Sequence, residues 1–416
     1  MNFFKKAFIL SLICFLLLSL TIPHGVVAEP DNQELEAGEE VEENGLEELP
    51  FDVEASSALL IEVQTKEVFY AKDIDRPYPP ASITKIMTLL LALEAIEEGK
   101  MDWDEIVTVS ERAWEMQGSQ MFLEIGQEVS VENLLKGISI VSANDACVAI
   151  AEHLYGSEEI FVQKMNEKAS EIGLTNTRFQ NTHGWPDPDH YMSARDIALL
   201  SAYTINTQPK ILELESQREF TFNIDEPQYN RNPLLGRYPG ADGLKTGWTN
   251  EAGYCLAGTA QQNNFRLISV VLNSPSNRAR LSDTEALLDY GFKNYTFETV
   301  AEKNEIVGQA DVPDGKNREV DLIAAEDMGV VVKNEGEENL EMEIVVNNLS
   351  APLRQGDEAG EILALRDDEV LNRVPLLIKE DVERANIFVV TLRRVGDFFS
   401  GLAAGALNLF RDLLEE

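Results

Sequence analysis

The chain has 416 residues, 44% of them hydrophobic, which is enough to bury more than one core. Its formal net charge is −39, and residues 29–54 contain 12 acidic and no basic side chains. This charge excludes nucleic acid as a partner, because nucleic-acid binding requires basic patches, and it argues against simple electrostatic attachment to anionic lipid. An acidic surface is also a device of proteins adapted to concentrated salt, which we keep as a hypothesis.

The N-terminus has the pattern of an export signal. Lys5 and Lys6 precede an apolar run at 7–20, and Val26-Val27-Ala28 offers a small-residue cleavage site. We therefore predict a signal peptide over residues 1–28. The alternative is an uncleaved anchor helix, but the run is shorter than the ~20 residues that span a bilayer. The acidic segment 29–54 lacks periodicity and is predicted to be a disordered linker.

Residues 55–298 mix strand-like and helical patterns. This mixture predicts an α/β (α+β) domain that combines a sheet with a cluster of helices. Serine, proline and glycine residues mark the ends of several elements. Predicted strands lie at 57–63, 67–71, 253–259 and 265–272, and predicted helices lie at 82–98, 131–140, 160–172, 194–204 and 280–290.

The sequence pattern changes near residue 299. Short strand-like runs separated by turn residues predict a small β-rich domain over 299–385. Apolar residues then recur at three- and four-residue steps over 386–416, which predicts an amphipathic helix lying on a membrane surface. A helix packed on the β-domain is the alternative. Beyond the signal peptide, Cys147 and Cys255 remain, either as small buried side chains or as a disulfide pair.

Ser82 and Lys85 form the first of three motifs, at the start of the predicted helix 82–98. Residues at this spacing share one helical face, so a neutral lysine amine can take the hydroxyl proton. Burial and a second cation nearby would lower the lysine pKa sufficiently. The alternative is a helix-capping serine beside a solvated lysine, because an S-x-x-K pattern often arises by chance.

The second motif is Ser142-Ala143-Asn144, and the third is Lys245-Thr246-Gly247 just before a predicted strand. A strand edge at the third motif would offer a cation, a hydroxyl and close backbone access at the glycine. Each motif alone is compatible with an ordinary loop or turn. In this order, about 60 and about 100 residues apart, they form the triplet of penicillin-binding proteins and class A β-lactamases.

With this triplet, the chain resembles the low-molecular-mass penicillin-binding proteins that act as D-alanyl-D-alanine carboxypeptidases, especially the sporulation-associated type. The resemblance covers roughly residues 55–400. It implies a serine transpeptidase/β-lactamase-like catalytic domain, a peptidoglycan stem peptide as substrate, and β-lactams as covalent inhibitors. It also implies no metal or organic cofactor, and a place at the outer face of the cytoplasmic membrane. The matching segments are 80–88, 118–120, 142–146, 191–196 and 242–247.

The resemblance implies a role for each matching residue. Ser82 attacks the carbonyl between two D-alanines, Lys85 is the general base, and Ser142 relays a proton to the leaving amine. Asn144 hydrogen-bonds the peptide amide, and Thr246 and Arg280 hold the terminal carboxylate. Lys245 supplies positive potential that keeps Lys85 neutral, and Gly247 belongs to the strand that binds the substrate. The N–H groups of Ser82 and Trp248 form the oxyanion hole. Arg278 is the alternative to Arg280.

Four alternatives bear on function. A histidine base, His183 or His190, is disfavoured because Lys85 already fills that role. A β-lactamase would need a deacylating carboxylate, and the nearest match to E-x-x-L-N, at 171–175, lacks the asparagine. A D,D-endopeptidase would use the same acyl-enzyme chemistry on cross-links. A catalytically silent wall-binding protein would not need the intact triplet.

Overall fold

The computed structural model describes residues 51–334, 340–367 and 369–393. The predicted signal peptide, most of the predicted linker, and residues 394–416 of the predicted terminal helix lie outside the described residues. Within them, no helix is long and apolar enough to cross a membrane.

The first domain combines strands and helices, as the sequence predicts. Its elements, in chain order, are β1 (Ser57–Glu62), β2 (Val68–Lys72), a 3₁₀ turn (Ala81–Thr84), α1 (Lys85–Glu97), β3 (Ile106–Thr108), α2 (Glu111–Trp114), β4 (Glu128–Ser130), α3 (Val131–Lys136), a π-helical turn (Gly137–Val141), α4 (Asn144–Tyr155), α5 (Glu158–Ile172), α6 (Ala194–Thr207), α7 (Lys210–Glu215), β5 (Glu219–Phe220), β6 (Gln228–Tyr229), β7 (Ala241–Thr249), β8 (Gly253–Gln262), β9 (Phe265–Ser274) and α8 (Asn277–Asn294).

A five-stranded antiparallel sheet forms the centre of this domain. Its strand order is β2-β1-β9-β8-β7, so β7 lies at one edge. Strands β1 and β9 are buried along almost their whole length, and they read as continuous apolar runs because both faces of the sheet are covered. A large buried cluster packs α1, α4 and α6 against one face. A second cluster, which includes Leu287 and Leu288 of α8, packs against the other.

Helix α1 is apolar on all sides, and this is typical of a helix buried in the interior. Helices α5 and α8 begin earlier than the apolar pattern indicates, because Ser157 and Ser276 cap their first turns. The Ser157 hydroxyl accepts from the N–H of Ile160, and the Ser276 hydroxyl accepts from the N–H of Ala279. The two serine caps therefore fix where these helices begin.

The second domain is β-rich, as predicted. Strands β11 to β16 include a five-stranded antiparallel sheet of order β11-β12-β16-β15-β14, and β10 pairs with β13. The strand-like runs of the sequence, at 306–312, 320–324, 329–333, 342–346 and 360–365, include neither β10 nor β16. In β16, Pro375 falls inside the strand, where a proline argues against regular pairing. The strands are β10 (Tyr295–Ala301), β11 (Ile306–Asp311), β12 (Glu319–Ala324), β13 (Met328–Lys333), β14 (Leu340–Val346), β15 (Glu358–Arg366) and β16 (Glu369–Ile378).

Candidate active site

Ser82 and Lys85 meet at the junction of the 3₁₀ turn and α1. The Lys85 amine lies 3.0 Å from the Ser82 hydroxyl oxygen. Lys85 is fully buried, whereas Ser82 is partly accessible. The alternative of a capping serine beside a solvated lysine is therefore wrong.

Two further oxygen atoms fix the Lys85 amine. It donates to Asn144 Oδ1 at 2.8 Å and to the main-chain carbonyl of His183 at 2.7 Å. Burial lowers the pKa of Lys85 to about 7, and the positive charges of Lys245 and Arg231 act in the same direction. A substantial fraction of the amine is therefore neutral near pH 7, in contact with a serine hydroxyl.

Ser142 and Asn144 come from the connection between α3 and α4. The π-helical turn ends at Ser142, whose φ is 62°, a left-handed conformation that is uncommon outside glycine and that clusters at functional sites. Its hydroxyl is buried and has no hydrogen-bond partner in the described part of the chain. The Asn144 amide, besides accepting from Lys85, donates to the Gln117 carbonyl at 2.7 Å.

Lys245, Thr246, Gly247 and Trp248 lie on β7, so the third motif is on an edge strand and not in a turn. Lys245 is 2% exposed and Trp248 is 54% exposed. A Cβ at Gly247 would lie 2.6 Å from the carbonyl oxygen of Pro80, just before the nucleophile segment. Only glycine lets β7 approach the serine this closely, and this explains the residue in the motif.

Arg280 is buried on α8, and Arg278 is exposed. The Arg280 guanidinium donates to the Cys255 carbonyl at 3.1 Å and stacks over the ring of Tyr254 at 5.7 Å. It lines the same cleft as Thr246, whereas Arg278 does not. Of the two arginines considered from the sequence, Arg280 is the one at the site.

The imidazoles of His183 and His190 contact other groups. His190 Nε2 lies 2.8 Å from the Thr84 hydroxyl, and His183 Nδ1 accepts from the Trp185 N–H at 3.3 Å. Burial lowers the pKa of both rings, that of His190 to about 4. The histidine that matters for the serine–lysine pair is His183, and it acts through its carbonyl oxygen.

Arg231 is a cleft residue that the sequence analysis missed. It lies between β6 and β7, and its guanidinium donates to the Ser119 hydroxyl at 2.5 Å. Burial lowers its pKa. No periodic sequence pattern surrounds Arg231. The one feature of the sequence that could have indicated a role is a basic side chain in a strongly acidic chain.

These groups surround one open cleft of about 990 Å³. Lys85 reaches Ser82 from the buried side of this cleft, with Lys245 also buried beneath its surface. Arg231 and Arg280 line the cleft beside one acidic residue, Glu251, so basic side chains outnumber acidic ones there despite the acidic chain. Lining residues include Ser82, Ser119, Ser142, Asn144, Trp185, Arg231, Thr246, Gly247, Trp248 and Arg280.

A serine in contact with a buried lysine amine, at the edge of an antiparallel sheet beside a helical cluster, is typical of serine hydrolases with the penicillin-binding fold. Residues 43–276 match the family described as D-alanyl-D-alanine carboxypeptidase, and residues 295–384 match the C-terminal domain of penicillin-binding protein 5. The chain therefore belongs to the D-alanyl-D-alanine carboxypeptidase family.

Individual relatives agree with this assignment. The D-alanyl-D-alanine carboxypeptidase DacF of Bacillus subtilis is 40% identical over 83% of this chain and 90% of that protein. The crystal structure of penicillin-binding protein 5 from Haemophilus influenzae has a TM-score of 0.70 at 34% identity, over 81% of this chain and 99% of that one. Penicillin-binding protein D2 from Listeria monocytogenes, in its ampicillin-bound form, has a TM-score of 0.54 at 32% identity, over 59% and 99% respectively.

Proposed function

We propose that Ser82 is the nucleophile with which this carboxypeptidase removes the terminal D-alanine from peptidoglycan pentapeptide stems. The observation that carries the proposal is the buried Lys85 amine, 3.0 Å from the Ser82 hydroxyl at the floor of the cleft. A lysine with a pKa of about 7 is matched to proton abstraction at neutral pH.

The reaction proceeds through an acyl-enzyme. Ser82 Oγ attacks the carbonyl carbon between the two D-alanines while Lys85 takes the hydroxyl proton, and the N–H groups of Ser82 and Trp248 stabilise the oxyanion. The C–N bond then breaks, and Ser142 passes a proton to the departing amine. Water attacks the resulting ester, which releases the shortened peptide and restores Ser82.

The substrate contacts follow from the cleft lining. Thr246 and Arg280 bind the terminal carboxylate, Asn144 binds the stem amide, and Lys245 supplies positive potential. β-Lactams carry a carboxylate beside a strained amide, so we propose that they acylate Ser82 in the same way. The ampicillin-bound relative supports this part of the proposal.

Mass spectrometry after incubation with penicillin tests the proposal. We expect one adduct, on the peptide that contains Ser82, and none in the Ser82→Ala variant. Ser170→Ala, which changes an exposed serine on α5, is the matched control and should acylate normally. An adduct on another residue would refute the assignment of Ser82 as the nucleophile. Failure of the protein to label with fluorescent penicillin would favour a catalytically silent wall-binding protein.

A β-lactamase reading has little support from the site. Glu171 is the nearest candidate for a deacylating carboxylate. It is exposed near the end of α5 and accepts a hydrogen bond from the Lys168 amine at 3.0 Å. It does not line the cleft. We expect a long-lived penicilloyl-enzyme, and rapid turnover of nitrocefin without lasting acylation would contradict this.

Cleavage of cross-links by the same acyl-enzyme chemistry is the weaker alternative. Release of D-alanine from a pentapeptide should be compared with cleavage of a cross-linked dimer, at equal enzyme concentration. Faster pentapeptide hydrolysis is the expected result, and preferential dimer cleavage would assign the enzyme as an endopeptidase.

We propose further that the chain is exported and acts at the outer face of the cytoplasmic membrane. Residues 387–393 are helical, and Ile387, Phe388 and Leu392 are 75–81% exposed, as a membrane-facing stripe would be. Deleting residues 386–416 should release the protein from membranes. Unchanged sedimentation with membranes would count against the helix as the anchor.

A further inference from the structure

Ala81 is the first residue of the 3₁₀ turn that carries Ser82, which we call the nucleophile turn. Its φ is 48°, in the left-handed region that glycine adopts freely and alanine does not. An alanine keeps such a backbone only where the surrounding contacts enforce it, and such positions cluster at active sites. The contacts that hold Ala81 therefore bear on the placement of the serine next to it.

The segment 190–192 holds the nucleophile turn from both sides. Before the turn, Tyr78 and Met192 exchange two main-chain hydrogen bonds, each of 2.9 Å. At the end of the turn, His190 Nε2 lies 2.8 Å from the hydroxyl oxygen of Thr84, the last residue of the turn. The stretch of chain between these two contacts contains the nucleophile.

The hydrogen bonds around His190 show which ring nitrogen carries the proton. The Gln180 N–H donates to Nδ1 at 3.2 Å, so the neutral ring has its proton on Nε2. Nε2–H therefore donates to the Thr84 hydroxyl, and this hydroxyl donates to the Ala81 carbonyl at 2.8 Å. The ring is neutral at pH 7, because burial lowers its pKa to about 4. A directed chain of hydrogen bonds thus ends on the residue with the left-handed backbone.

This chain of hydrogen bonds is enclosed by the protein. His190 is 3% exposed and Thr84 is fully buried. The Phe179 ring packs edge-on against the imidazole, with 5.8 Å between the ring centroids. A Cβ at Gly184 would lie 2.9 Å from the Thr84 hydroxyl oxygen, so the neighbouring loop closes the remaining side. Loss of one partner would therefore leave a buried polar group unsatisfied.

We propose that His190 is a positioning residue, which fixes the nucleophile turn by orienting the Thr84 hydroxyl toward the Ala81 carbonyl. This inference rests on the role proposed above for Ser82. Because Ser82 directly follows Ala81, a change in the Ala81 backbone moves the serine hydroxyl away from its base. The His183 carbonyl thus holds the base, and His190 places the nucleophile through Thr84 and the main chain.

The two nitrogen positions of His190 can be tested separately, with the rate constant for acylation by penicillin at pH 8. A glutamine amide can occupy the place of Nε2, so His190→Gln still donates to Thr84 and should acylate at close to the wild-type rate. An asparagine amide can occupy only the place of Nδ1, so His190→Asn should be slower by about 100-fold. His153→Asn is the matched control, since this half-buried ring contacts Glu105 at 3.0 Å, and it should acylate normally.

Thr84→Val tests the other partner, because valine keeps the shape of the side chain and removes the hydroxyl. It should also slow acylation about 100-fold. Since both substitutions break one chain of hydrogen bonds, the double variant with His190→Asn should be slower by about 100-fold, and not by the about 10,000-fold expected of independent effects. Thr204→Val, which removes a buried hydroxyl that donates to the Leu200 carbonyl on α6, is the control and should acylate normally.

The outcomes separate this inference from the proposed function. Equal acylation rates of His190→Gln and His190→Asn would overturn the inference, and so would single effects that multiply in the double variant. If circular dichroism shows that His190→Asn does not fold, Thr84→Ser and Thr84→Val decide. Serine keeps the hydroxyl and should restore the rate, and equal rates of these two variants would overturn the inference. A wild-type enzyme that penicillin does not acylate at Ser82 would instead refute the proposed function.

Discussion

The amine of Lys85 is held by three oxygen atoms at 2.7–3.0 Å, from Ser82, Asn144 and the His183 carbonyl. Asn144 Oδ1 and the His183 carbonyl can accept a hydrogen bond from either protonation state of the amine, and the Ser82 hydroxyl can donate to the neutral amine. None of the three groups carries a negative charge. An adjacent carboxylate would have kept the ammonium charged. Neutral neighbours therefore let the amine lose its proton near pH 7, as the proposed mechanism requires.

The pKa of Lys85 gives a prediction for the dependence of acylation on pH. Because its pKa is about 7, the neutral fraction falls about tenfold for each pH unit below that value. The acylation rate constant should therefore fall in proportion between pH 7 and pH 5, as measured with a chromogenic cephalosporin. The intact fold at pH 5 is checked by circular dichroism, and a rate that stays constant down to pH 5 would contradict a lysine base.

Glu158 supports the loop that supplies the His183 carbonyl. Its carboxylate accepts from the Thr182 N–H at 3.2 Å, the Thr182 hydroxyl at 3.0 Å and the Arg112 guanidinium at 3.0 Å. Glu158→Ala leaves the buried Thr182 groups without partners, which should lower the free energy of unfolding by about 2 kcal/mol. Urea titration measures this loss.

Glu159→Ala is the control for that substitution, because the neighbouring side chain is exposed. Its effect should remain within about 0.5 kcal/mol. Equal stability of Glu158→Ala and Glu159→Ala would show that the Thr182 contacts do not stabilise the loop.

At the scale of elements, the nucleophile turn is confined between two backbone segments. Gly247 of β7 lies against Pro80, and Gly184 of the His183 loop lies against the carbonyl of Ala81. Neither position has room for a side chain. The position of Ser82 therefore depends on two glycines that belong to other parts of the chain.

Gly184→Ala tests this confinement. The added Cβ would lie 1.7 Å from the Ala81 carbonyl oxygen, so the nucleophile turn must shift. A shift of this size should slow acylation about 100-fold, since an error of about 1 Å in a reacting group has that effect. The measurement is the acylation rate constant at pH 8, with circular dichroism to verify folding.

Gly156→Ala separates this clash from the effect of backbone conformation. Gly156 also has a positive φ, 80°, but a Cβ there would meet no atom within 4 Å. The Gly156→Ala substitution should lower the free energy of unfolding and leave the acylation rate constant unchanged. Equal acylation by the two variants would show that Gly184 is not needed to place Ser82.

The sequence predicted the elements that depend on local patterns. The buried helix α1 and the strands β8 and β9 follow from apolar runs, and the three motifs follow from residue type, order and spacing. Ser142 could be assigned to the site, but its left-handed backbone could not, because the π-helical turn that produces it has no local signature. Membership of the family could be recognised from short segments alone.

The rest of the site depends on contacts between distant segments. Arg231 reaches Ser119 across 112 positions, and the His183 carbonyl reaches Lys85 across 98. A main-chain carbonyl carries no information about residue type.

The whole molecule combines a cationic cleft with a net charge of −39. Like charges at this density repel one another and destabilise the compact state. Added salt shortens the range of this repulsion from about 10 Å at 0.1 M to about 3 Å at 1 M.

The melting temperature should therefore rise as sodium chloride increases from 0.05 M to about 1 M. Differential scanning calorimetry measures the change, with chloride in place of sulfate because sulfate also strengthens apolar burial. A potassium chloride series is the control for specific sodium binding. A melting temperature that falls with either salt would contradict the hypothesis of adaptation to concentrated salt.

The two domains share a hydrophobic cluster. Val331 of β13 is buried together with Leu60 and Leu267 of the central sheet, and Tyr295 of β10 stacks on Phe69 at 4.4 Å. Separating the domains would expose this surface to water, so we expect them to unfold cooperatively. A penicilloyl group on Ser82 would then slow amide hydrogen exchange in β10 and β13, far from the cleft that holds it.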